Sequence, residues 1–128
     1  MNIFLISLFA TFSIVRLFSH YFHDRKNYGT KKEDSKTITG WLRRKTKIDW
    51  HHIHFGILLL IITTILHVTY SLTNNLLIFY GVSLSLIADQ IIPLIFKRIC
   101  YFSKDGIFWA CFNHVIIALI FLLIFKIS

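Results

Sequence analysis

HIHFGILLLIITTILHVTYSL, residues 52–72, decides the fold class. It contains no Asp, Glu, Lys or Arg. At about 1.5 Å per residue a helix of this length crosses the roughly 30 Å of hydrocarbon in a bilayer. The apolar residues do not alternate, and the run is too long for a strand. Backbone polar groups in lipid must pair within their own segment, so the stretch reads as a transmembrane helix.

Three further apolar segments lie at about residues 2–23, 76–96 and 107–126. The expected fold is all-α, a polytopic membrane protein with four transmembrane helices in a bundle, and residues 1–128 form a single membrane domain. Composition agrees. With 55% hydrophobic residues, 16% charged residues and a mean hydropathy of +0.65, a chain of 128 residues could not cover a soluble surface. The first segment is expected to be retained. No basic residue precedes it, and Arg16, His20 and His23 stand where a leader would carry small residues for cleavage. Cys100 and Cys111 form neither a disulfide framework nor a thiolate zinc pattern.

The net charge of +8 is concentrated in two connections. Residues 24–51 hold Arg25, Lys26, Lys31, Lys32, Lys36, Arg43, Arg44, Lys45 and Lys47 against Asp24, Glu33, Asp34 and Asp49. The third connection holds Lys97, Arg98 and Lys104 with Asp105, and Ser71 to Asn75 has no charge. The positive-inside rule puts loops 24–51 and 97–106 in the cytoplasm and both termini outside, the expected site being the plasma membrane. Lys126 is the one basic residue on the other side. Orientation accounts for the charge, and no nucleic-acid partner is expected. Ile38, Trp41, Leu42 and Ile48 form an apolar stripe among basic residues, which suggests a short interfacial helix on anionic lipid headgroups. Trp41, Trp50, Tyr101 and Trp109, and at the other boundary Tyr70 and Tyr80, fit aromatic belts.

Ionisable residues inside spans are expensive, so each marks a candidate site. Arg16, His20 and His23 lie within about 60° of one another on a helix, and His51 and His54 share a face, with His52 turned about 100° away. Gly81, Ser85 and Asp89 form a row of small and polar residues, with Ala88 beside it, that should face a neighbouring helix. Ala110, His114 and Ala118 repeat the pattern. An inward cluster of His20, His54, Asp89 and His114 is therefore expected near the cytoplasmic end, with Arg16, His23, His51 and His52 around it. Imidazoles with a carboxylate suit zinc, iron or manganese. In an enzyme, a divalent metal held by His54, His114, Asp89, His20, His51 and His23 would activate water against a lipid or lipid-linked substrate. Asp89 would be a ligand or general base and Arg16 an anion clamp. HYFH and HHIH do not match the HxxxH and HxxHH boxes of membrane desaturases.

HHIHFG at 51–56 and GVSLSLIADQ at 81–90 resemble a pattern in small, uncharacterised four-helix membrane proteins of archaea and bacteria. There HHxHxG opens one helix, and an acid followed by Glu or Gln closes a Gly- and Ser-containing stretch on the next. The resemblance covers about residues 40–125 and marks His51, His52, His54, Gly56, Asp89 and Gln90. It implies a site and no particular activity.

Two other classes compete with a metal enzyme. In one, a structural or accessory subunit of a membrane complex, or a homo-oligomer, uses a buried Arg16–Asp89 pair to fix helix register. In the other, a redox subunit binds haem between His54 and His114. Transport is weaker, because the outer half offers few polar groups. His67 is expected to be a packing residue satisfied on its own helix by Thr63, Thr64 or Ser71.

Overall fold

The computed structural model describes residues 2–22, 41, 45–46, 51–96 and 101–127, with backbone only for 22 and 125–127. It is all-helical. Four long helices run in the order α1 (Asn2–Phe22), α2 (His52–Tyr70), α3 (Asn74–Ile95) and α4 (Lys104–Ile127). Each is long and apolar enough to cross a membrane. Trp41, Lys45 and Thr46 are also helical, and the Lys45 ammonium lies 5.1 Å from the Trp41 ring centroid. The rest of the expected interfacial stripe lies outside the described residues. So do Trp50, Cys100 and every basic residue of the two loops except Lys45 and Lys104.

The helix ends follow local chemistry. Ser103 caps α4, its hydroxyl accepting from the Gly106 amide at 3.0 Å and its carbonyl from the Ile107 amide at 3.0 Å. The helix therefore starts at Lys104, three residues before the apolar run. Thr73 caps α3 in the same way, through the Leu76 amide at 3.3 Å. Just before Thr73, α2 ends at Tyr70, where Ser71 turns to φ 65°, ψ 167°, a conformation that favours glycine. Pro93 has no N–H, so the Asp89 carbonyl one turn earlier loses its helical donor. The helix stops soon afterwards, at Ile95.

The four helices do not all meet. α3 is the hub, and α1, α2 and α4 each pack against it. α1 and α4 touch only slightly, and α2 touches neither. Two glycines set the close approaches. A Cβ on Gly81 would strike the Ser7 hydroxyl and come within 2.8 Å of the Phe4 carbonyl, where α1 crosses α3. A Cβ on Gly56 would come within 2.9 Å of the Ser83 carbonyl, where α2 crosses it. Toward the end carrying the N-terminus, the α1–α3–α4 seam is apolar. Phe4, Leu8, Leu77 and Ala118 are buried together, and the Phe4 and Phe121 rings stack at 3.7 Å. The outward faces are Ile, Leu, Phe and Val, such as Ile57, Leu58, Ile61, Ile65 and Val68 on α2.

Candidate functional site

The row Gly81, Ser85, Asp89 does face neighbouring helices, but each member meets a different partner. Gly81 meets α1, and Ser85 meets α4. Asp89 meets Arg16 of α1 and Tyr101 of the α3–α4 connection. The Arg16 Nε donates to Asp89 Oδ1 at 2.6 Å, and the Tyr101 hydroxyl donates to Oδ2 at 2.5 Å. Asp89 is 1% exposed, and the Arg16 side chain is 14% exposed. Two charges taken this far out of water need further hydrogen bonds to be tolerated. Arg16 has them. One terminal nitrogen donates to the Tyr101 carbonyl at 2.7 Å, and the other reaches the Gly106 carbonyl at 3.5 Å. The guanidinium also lies over the Tyr101 ring, 4.0 Å from its centroid. Burial, and then the adjacent Asp89 carboxylate, push the Tyr101 hydroxyl's pKa upward. Tyr101 therefore stays protonated and remains a donor. Buried Ser19 bonds to the same hydroxyl.

His114 is inward, as its row suggests, and fully buried. Its Nδ1 lies 2.7 Å from the Ala110 carbonyl, which requires the proton there. Its Nε2 then accepts from the Ser85 hydroxyl at 2.9 Å. The Phe12 ring lies against the imidazole at 4.4 Å. Next to it, Asn113 donates to the Ala88 carbonyl at 3.1 Å.

The histidines of α2 divide differently from expectation. His52, expected to turn away, bonds to the neighbouring helix. Its Nδ1 lies 3.2 Å from the Gln90 amide nitrogen, and the Gln90 carbonyl accepts from the Ile53 amide at 3.3 Å. Gln90 thereby satisfies an N-terminal donor of α2 from across the interface. His54 turns back on its own helix start, its Nδ1 lying 3.1 Å from the His51 amide nitrogen, from which it accepts in one tautomer, and 3.3 Å from the His51 carbonyl, to which it donates in the other. The His51 and His54 rings do share a face, stacked at 6.1 Å. Four of the positions marked by the resemblance, His52, Gly56, Asp89 and Gln90, thus lie where a helix meets α3.

The expected inward cluster of His20, His54, Asp89 and His114 is not one constellation. His20 is exposed, and Ser19 takes the inward position beside Arg16. His54 and His114 lie on helices that do not touch, and His114 is roughly 12 Å further from the start of its helix than His54. They do not face each other as axial haem ligands would. His23 and Asp49 lie outside the described residues. Among the described residues, no three His, Cys, Asp or Glu side chains stand close enough to hold one metal ion.

Tyr101 and Tyr80 depart from the belt pattern. Tyr101 is 3% exposed and belongs to the arginine–aspartate cluster. Tyr80 reaches the His67 Nδ1 at 3.1 Å, so the partner of His67 comes from α3 and not from its own helix. Trp109 and Tyr70 remain exposed. No family model matches the chain, and no curated protein or solved structure does either.

Proposed function

We propose that the protein crosses a membrane four times, with loops 24–51 and 97–106 in the cytoplasm, and serves as a structural or accessory component of a membrane assembly. In this reading the Arg16–Asp89–Tyr101 cluster is a lock. It joins α1, α3 and the connection into α4 at the cytoplasmic end, where the helices lack the tight apolar seam of the other end. The observation that carries the reading is the engagement of the polar groups within the chain. Both carboxylate oxygens of Asp89, three nitrogens of Arg16 and both nitrogens of His114 have intramolecular partners. A catalytic carboxylate would need an oxygen turned toward a substrate. The short extramembrane segments agree with an accessory role.

One observation favours a second reading, a divalent metal (zinc, iron or manganese) at the mouth of α2 acting on a lipid-linked substrate. The His51 and His54 rings are stacked, and in the tautomer with its proton on Nδ1 the His54 ring donates to the His51 carbonyl at 3.3 Å and carries its lone pair on Nε2. Fixation of that kind orients a ligating imidazole. Elemental analysis of detergent-purified protein separates the readings. The lock predicts no stoichiometric metal, together with a clear loss of thermal stability in Asp89→Asn. One metal per chain, lost in His54→Ala while the fold persists, would overturn it.

A further inference from the structure

Asp89, Arg16, His114, Gln90 and His67 all bond within the chain, and Asn113 is engaged only in part. Asn113 is half-buried about 13 Å into α4, measured from Lys104. One of its amide hydrogens goes to the Ala88 carbonyl. Among the described residues, nothing donates to its Oδ1 and nothing accepts its second hydrogen. A carboxamide left this way in hydrocarbon is costly, and membrane helices relieve the cost by bonding across an interface.

A second observation concerns α4 itself. It is as little buried as α2 and less than α1 and α3, touching α3 and a little of α1. The residues one turn either side of Asn113 on the same face, Trp109 and Ile116, are 37% and 38% exposed. These are large, partly covered apolar side chains flanking a polar group, the arrangement of an interface with a satisfied centre.

We infer that Asn113 is the centre of a homodimer contact in which α4 packs on α4 of a second copy. The carboxamide specifies the occupant because it is self-complementary. About a two-fold axis, each Oδ1 accepts the second amide hydrogen of the other Asn113, and both groups are satisfied at once. A helix of another protein would need its own donor–acceptor pair at the same depth. The contact is separate from the Arg16–Asp89 lock, so either can fail without the other.

Sedimentation of the full chain in mild detergent, over a range of protein-to-detergent ratios, should show a monomer–dimer equilibrium. Asn113→Leu should weaken the dimer by about tenfold, and Asn113→Gln, which keeps the carboxamide, should weaken it less. In native membranes, Asn113→Cys in a Cys100→Ser/Cys111→Ser background should form a disulfide-linked dimer on mild oxidation. A monomeric wild type, a dimer indifferent to Asn113→Leu, or a position-113 cysteine that crosslinks only to a different protein or not at all would each overturn the inference.

Discussion

Replacing Asp89 by Asn is the most direct challenge to the lock. The side chain keeps its shape and loses its charge. Removing one partner of a buried ion pair costs about 3–5 kcal/mol, because the other charge remains buried. Arg16 is not wholly stranded, since it is 14% exposed and still reaches the Tyr101 and Gly106 carbonyls. That argues for the lower end, about 3 kcal/mol. A further penalty of about 1 kcal/mol follows from the new NH2 group. Arg16 Nε and the Tyr101 hydroxyl both point donors at the carboxylate, and one of them would now face another donor. The sum is about 4 kcal/mol, readable by titrating detergent-solubilised protein with SDS and following the loss of its folded state. The triple variant Arg16→Met/Asp89→Leu/Tyr101→Phe removes both charges and the tyrosine hydroxyl, leaving only the neutral Ser19 hydroxyl and two carbonyls, and should return to within about 2 kcal/mol of wild type. Asp89→Asn within about 0.5 kcal/mol of wild type, or strict additivity of Arg16→Met with Asp89→Leu, would refute a coupled cluster.

Further outcomes follow from the same geometry. Gly81→Ala should destabilise by roughly 2 kcal/mol, since the new methyl strikes the Ser7 hydroxyl and the α1 backbone. Gly56→Ala should do the same at α2, and thermal melts of both variants check this. Ser71→Gly should stabilise by about 1 kcal/mol by relieving the positive φ, measurable as a raised melting temperature. Gln90→Leu should fray the start of α2, and hydrogen exchange at Ile53 should quicken, because its amide loses the Gln90 carbonyl. Tyr101 gives a pH dependence. Its pKa is raised in the folded state, so its contribution is fully present below the unfolded value of about 10 and is lost as pH rises toward the folded value. Melts at increasing alkaline pH should show wild type losing stability faster than Tyr101→Phe.

The four helices long and apolar enough to cross a membrane were legible because a span imposes a length and an apolar content that few other structures need. Inward rows were legible where small residues marked them, as at Gly81–Ser85–Asp89 and Ala110–His114–Ala118. The Arg16–Asp89 pair was legible as an alternative, from similar depths and opposite charges. Other features depend on rotations finer than helical spacing resolves. Ser19 and His20 lie about −60° and +40° from Arg16 around the axis. Spacing alone does not choose between them, and the small serine faces inward while the imidazole faces outward. His52 and His54 posed the same ambiguity at a helix start, where the partner, Gln90, comes from a segment 38 residues away. Tyr101 was hidden differently. A tyrosine beside basic residues at a span boundary matches an interfacial anchor, and nothing in its neighbours shows that the connection folds back over Asp89.

The hub arrangement has a consequence for how the chain is made. Arg16 and Asp89 are 73 residues apart. At about 5–20 residues per second, Arg16 is synthesised roughly 4–15 s before the aspartate that neutralises it. During that interval α1 has no helix to pack on, because α2 does not touch it. Arg16 lies six residues from the end of α1, about 9 Å, so in the proposed four-span arrangement its long side chain would reach up to the headgroups while it waits. On the proposed membrane-crossing reading, the first helix is thus a guest held at the surface until the third arrives, and biogenesis of the protein hinges on α3 entering the bilayer before the arginine draws α1 back out.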